Sequence, residues 1–175
     1  MTGKEGSLKE DSLEIIYNAV IRRFELEIDR KKELDNKANN LVGFIGIIAS
    51  LITGFGGTYL KIPNIEEWNL NSLRLLSPIV SFAFVLMFML FSLIFVFQAI
   101  QIKQLTYVPH AFNLIGAYSN TEKLTIIQHL CDEYAVAIGD NSVVNDRKAN
   151  NIKKAIWSLS LGLFTLVLHA FLLLI

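Results

Sequence analysis

Three runs of this chain, residues 41–60, 76–99 and 155–175, contain no Asp, Glu, Lys or Arg. A charge-free run of about 20 residues, rising 1.5 Å per residue as a helix, is long enough to cross a hydrocarbon layer of roughly 30 Å. A helix in a water-soluble domain normally keeps a charged or polar face, and the second run shows no charge over 24 residues. The expectation is an all-α membrane protein with three transmembrane helices. A cytoplasmic amphipathic helix over 1–40 runs straight into a first span over 41–60. An external loop over 61–75, a second span over 76–99, a helical cytoplasmic insert over 100–154 and a third span over 155–175 follow.

Basic residues set the expected orientation. Segment 1–40 holds eight Lys or Arg, 61–75 holds two and 100–154 holds six. The positive-inside rule puts the N-terminus and the insert in the cytoplasm and the C-terminus outside, in the cell inner (plasma) membrane. The first 38 residues are polar and charged, so the first span is expected to act as its own signal anchor. A net charge of zero carries no nucleic-acid footprint. The single cysteine, Cys131, excludes an intrachain disulfide.

A seven-residue word stands before two of the spans. Asp35-Asn36-Lys37-Ala38-Asn39-Asn40-Leu41 precedes the first, and Asp146-Arg147-Lys148-Ala149-Asn150-Asn151-Ile152 precedes the third; five of the seven positions are identical. The repeat predicts two helices that enter the bilayer from the same side, in a pseudo-twofold arrangement. Asp35, Lys37, Asn39 and Asn40, with Asp146, Lys148, Asn150 and Asn151, would form a cytoplasmic collar. That collar either only positions the helices or rims a pore.

Ahead of the first word, Leu13, Ile16, Val20, Phe24 and Ile28 form an amphipathic stripe. It needs a partner, either the 100–154 segment of the same chain or another copy. Capping signals at Ser7 or Asp11 predict a helix from about residue 8 to 58, ended by Gly54, Gly56, Gly57 and Pro63. The second span should begin near Ser77-Pro78 and, rich in Phe, should face lipid most. In the insert, Pro109 opens a short helix over about 109–117. Ser119 and Glu122 start another over about 120–138, stopped by Gly139, and a last helix runs over about 141–175.

Two faces of small and polar residues stand out in the spans. Gly43, Gly46, Ser50 and Gly54 form a small-xxx-small pattern in the first, suited to close helix packing or to a pore wall. Ser158, Gly162, Thr165 and His169 share a stripe in the third. His169 is read either as a neutral ring bonded to a neighbouring helix or as a pore-lining, proton-sensing group. His110, His129, Cys131 and Asp132 fit no metal spacing, so no cofactor is expected. No nucleophile elbow, Walker loop or dinucleotide fingerprint occurs, and the spans hold no carboxylate, so the chain does not read as an enzyme.

The charged helix from Arg22-Arg23 through Asp35-Asn36-Lys37-Ala38, feeding a span, then a tight hairpin of spans and a helical insert, resembles the small prokaryotic SLATT and Pycsar-type transmembrane effectors of antiphage defence. That resemblance implies an oligomer that permeabilises the inner membrane when triggered. The third span departs from the two-span pattern usual in that group. The expected function is an oligomeric channel or regulated pore, gated through its cytoplasmic helical bundle. The alternative is a non-conducting scaffold or adaptor that recruits a soluble partner. The partners expected are the lipid bilayer, further copies of the chain, and a cytoplasmic protein or signal molecule as trigger.

Overall fold

A computed structural model of the chain describes residues 2–59, 70–102, 105–107 and 122–174, with side chains placed over 12–54, 79–102, 105–107 and 122–171. Every element among the described residues is an α-helix: α1 (Thr2–Tyr59), α2 (Leu70–Gln101) and α3 (Lys123–Leu174). Each contains a stretch long and apolar enough to cross a membrane, within Ser12–Gly54, Ile79–Gln101 and Lys123–Phe171. The chain is therefore all-α, with the helices of a multi-pass membrane protein.

Contacts divide the chain into two units, Met1–Leu34 with Ile102–Arg147, and Asp35–Gln101 with Lys148–Ile175. In the first unit, α1 and α3 run parallel, because their contacts ascend together. Lys123 reaches Glu14 at 2.7 Å, the Tyr134 ring meets Tyr17 and Phe24 edge-on, and Asn145 meets Glu27. The predicted apolar stripe of α1 thus finds its partner within the chain. Tyr17, Val20, Phe24 and Ile28 are half-buried, whereas Ile16 stays exposed.

In the second unit, α2 runs antiparallel to α3. Ser92 Oγ donates to the Ala155 carbonyl (2.9 Å), Ser158 Oγ donates to the Phe88 carbonyl (2.8 Å), and Ser81 meets His169 (2.7 Å). The buried residues of α2 fall at Val85, Met89, Ser92, Val96 and Ala99, alternating steps of four and three. Those of α3 in this unit, Lys148, Ile152, Ala155, Leu159 and Gly162, keep the same rhythm, with Ser158 buried beside Leu159. Alternating steps of three and four are the spacing of helices packed at small crossing angles. Ile45, Ile48 and Ile52 of α1 complete the core, and the three helices meet around Ile48, Val85, Met89 and Leu159. Large apolar side chains of α2 (Val80, Phe84, Leu90, Phe91, Ile94 and Phe97 among them) stay exposed, as a lipid-facing helix requires.

The helices are longer than the sequence signals predict. α1 begins by Thr2, ahead of both Ser7 and Asp11, and continues through Gly54, Gly56 and Gly57 to Tyr59. α3 is unbroken through Gly139, so the two helices expected over 120–138 and 141–175 are one. No glycine among the described residues has a positive φ, and without that left-handed residue a glycine cannot cap a helix. Past Gly139, the side chain of Asn141 is fully buried and bonded to residue 106, an anchor that holds the next turn helical. α2 starts at Leu70, eight residues before Pro78. Proline there forfeits the bond to the carbonyl of Arg74, a residue at the charged edge of the span where water can take that carbonyl's second bond. The expected external turn at Pro63 and the expected short helix over 109–117 lie outside the described residues.

Among the described glycines, only Gly162 stands against a neighbouring helix. A Cβ there would stand 3.3 Å from Phe88 Cβ and 3.8 Å from the Val85 carbonyl oxygen. A Gly162→Leu substitution should therefore push α2 from α3 and cost about 1–3 kcal/mol. Gly43→Ala and Gly46→Ala, where a Cβ would meet nothing within 4 Å, should leave the monomer's melting temperature in detergent unchanged.

Candidate functional site

The polar collar is built unequally from its two copies. In the second unit, Lys148 is only 1% exposed and its ammonium meets the carboxylate of Asp35, whose side chain is 39% exposed. Burying an ammonium is costly, and only an opposite charge at bonding distance offsets that cost. Lys37, at the equivalent position of the first word, is exposed, as are Asn39 and Asn40. Ala38 is fully buried, whereas Ala149 is half-buried; Asn150 is exposed and Asn151 half-buried. The two words therefore present different faces, and Asp146 pairs with Arg30 at 2.6 Å.

In the first unit, that Asp146 hydrogen bond is the main reason the Arg30 guanidinium holds its proton even more tightly than usual, with the nearby Glu27 charge adding to it. Glu27 is itself buried, and its Oε2 accepts from Asn145 Nδ2 at 3.0 Å. The same Nδ2 donates to the Glu27 carbonyl at 2.8 Å. Arg23 and Arg30 flank the carboxylate at 3.8 and 3.6 Å. One turn earlier on α3, Asn141 brackets the backbone of Thr106. Its Oδ1 accepts from the Thr106 N–H (2.9 Å) and its Nδ2 donates to the Thr106 carbonyl (3.1 Å). A side chain that satisfies both backbone groups of one residue fixes where the connection returning from α2 docks on α3.

Asn141 and Asn145 were not among the residues singled out from sequence. Their signal was present as spacing. Asn141, Asn145, Lys148, Ile152, Ala155 and Leu159 follow one another at alternating steps of four and three, so the polar members occupy the phase of a packing seam.

The two span faces differ in the second unit. The stripe of α3 is turned to α2: Ser158 bonds Phe88, Gly162 abuts it, and His169 lies against Ser81 and the Phe82 ring at 5.6 Å. Thr165 Oγ1 donates back to the Leu161 and Gly162 carbonyls. The face of α1 is open. Gly43, Gly46, Ser50 and Gly54 are exposed, with no heavy atom within 4 Å of where the three glycine Cβ atoms would stand. Ser50 Oγ donates to the Gly46 carbonyl (2.9 Å) and Thr53 Oγ1 to the Ala49 carbonyl (2.8 Å), so both hydroxyls are satisfied by their own helix.

Among the described residues, no three His, Cys, Asp or Glu side chains converge as a metal site needs. His129 and Asp132 are exposed on α3 and Cys131 is half-buried. Burial, then the charge of Asp132, pushes the Cys131 thiol above its ordinary range.

Two outcomes are expected. Asp35→Ala, which strands the buried Lys148 ammonium, should lower stability by about 3 kcal/mol or more. Lys148→Met, which leaves only a partly hydrated carboxylate, should cost less, and Asp35→Leu with Lys148→Met should recover most of the loss; thermal melts in detergent rank the three. Cys131 should alkylate with iodoacetamide more slowly at pH 8 than a free thiol of ordinary acidity, because its thiolate fraction is smaller, and the rate should climb with pH.

Comparison of this chain with known proteins finds no matching family model, no matching curated protein and no matching solved structure.

Proposed function

We propose that this protein is a non-enzymatic, homo-oligomeric membrane channel or regulated pore, with the soluble parts of α1 and α3 acting as its gating bundle in the cytoplasm. The observation that carries the reading is the open face of Gly43, Gly46, Ser50 and Gly54. A small-residue face in a membrane span lets helices approach closely, and among the described residues no neighbouring helix comes within 4 Å of where Cβ atoms on its three glycines would stand. Copies that packed α1 against α1 around an axis would bring Ser50 and Thr53 to the centre and leave α2 to the lipid. The exposed Ile15 and Leu26 of α1, eleven residues apart on one face, offer a neighbouring copy a contact outside the span. In this reading the collar ion pair, Asp35 with Lys148, sits at the mouth, where a trigger that shifts α1 against α3 changes what the mouth exposes. The resemblance to triggered membrane effectors of antiphage defence fits the same behaviour.

A second reading, a non-conducting scaffold that recruits a soluble partner, draws on the core of the spans. Where the three helices meet, the lining is Ile48, Ile52, Val85, Met89, Leu159, Gly162 and neighbouring leucines, and none of these side chains is polar.

Cysteine chemistry separates the two. In a Cys131→Ser background, Ser50→Cys should form disulfide-linked dimers in membranes. Planar-bilayer currents of the same variant should fall on addition of a methanethiosulfonate reagent. Gly46→Leu should abolish both the dimers and the currents while leaving the monomer folded. Cross-linking without current under any trigger would favour the scaffold, and neither cross-linking nor current would sink the oligomer.

A further inference from the structure

We propose that the groove between α2 and α3 at the charged end of the second unit is a binding site for an anionic phospholipid. The groove is open along its length and offers about 500 Å³, within the range of small-molecule sites. Its floor is apolar, made by Phe88, Phe91 and Phe95 of α2 with Leu161 of α3, and its mouth is made by Asn150, Lys153, Lys154 and Trp157. The floor lies in charge-free sequence and the mouth at its border, so the gradient along the groove runs from hydrocarbon to headgroup.

Three features select the ligand. Two lysines and no carboxylate line the site, which suits a headgroup of net negative charge and not a zwitterion. Lys154 Nζ is held over the Phe95 ring, 5.7 Å from its centroid, so one ammonium is positioned at the junction of apolar floor and polar mouth. Trp157 is 64% exposed, a poor place for an indole in water and a favourable one among lipid headgroups, where the ring is half-immersed and its N–H finds an acceptor. An acyl chain laid along Phe88, Phe91 and Leu161 covers side chains that the fold leaves bare. A free phosphate ion would use the lysines and leave that floor empty. Another groove of the unit, between α1 and α2 around Ala49, Thr53 and Leu93, has no cation in its lining and offers nothing to a charged headgroup. The site does not depend on whether the protein conducts.

Trp157 can report the occupant directly, since the chain has only two tryptophans. Full-length protein carrying Trp68→Phe is reconstituted into vesicles of phosphatidylcholine and phosphatidylglycerol, with bromines on the acyl chains of one lipid or the other at equal mole fraction. Brominated phosphatidylglycerol should quench Trp157 more strongly. Each lysine near the surface contributes about fivefold to the relative association constant, so a preference of well over fivefold is expected. Lys153→Gln with Lys154→Gln should bring the preference to about one, with helix content by circular dichroism unchanged, and Lys153→Arg with Lys154→Arg should keep it. Inorganic phosphate at millimolar concentration should leave the quenching unaltered. Equal quenching by the two lipids, a preference that survives loss of both lysines, or displacement by inorganic phosphate would each overturn the proposal. Weak quenching by both lipids would mean that another copy of the chain fills the groove, and would overturn it equally.

Discussion

The ammonium of Lys148, sealed from water and matched to one carboxylate, is the constraint that the second unit is arranged around. A buried cation leaves the packing little freedom, because sliding α1 past α3 by even one residue parts it from Asp35 and exposes the full cost of its desolvation. The seam residues above it, Ile152, Ala155 and Leu159, are apolar and interchangeable in register, so they supply burial without supplying uniqueness. A polar residue in a packing seam can specify alignment at some expense of stability, and Lys148 stands where such a residue acts.

Hydroxyl groups play the complementary part between α2 and α3. In hydrocarbon the hydrophobic effect gives no reason for helices to associate, so close contact and interhelical hydrogen bonds must do so. Ser92 and Ser158 each donate to a carbonyl of the facing helix, and the missing side chain of Gly162 lets the backbones come close enough for those bonds to form. Phe88 is touched from two directions here, its carbonyl by Ser158 and its Cβ by Gly162, which makes it the natural pivot of the antiparallel pair.

Much of this was legible in the sequence. The absence of charge over the three runs is enough to give three long helices, because only a helix satisfies its own backbone without water. The apolar stripe from Leu13 to Ile28 correctly signalled a packed helix face, with Ile16 the one member left in the open. The helix ends were not legible. Gly54, Gly56, Gly57 and Gly139 have the composition of caps, but a cap needs a left-handed backbone, and whether glycine adopts it depends on what the following turn can bury. Asn141 supplies such an anchor after Gly139. The pairing of the repeated word was hidden for a related reason. Identical residues at identical spacing say nothing of rotation about the helix axis. A modest turn of α1 relative to α3 places Ala38 and not Lys37 in the core. Likewise the small residues of α1 and α3 look alike in one dimension, and only the phase of each helix decides that Gly162 is covered while Gly46 is not.

Two hydroxyls on α1 set what a neighbouring group could bond on that helix. Ser50 and Thr53 direct their hydroxyl hydrogens inward, onto the carbonyls of Gly46 and Ala49, so the oxygens that face outward present lone pairs alone. A helix laid against this face would have to bring a donor to meet them, and an acceptor placed there would be left unpaired.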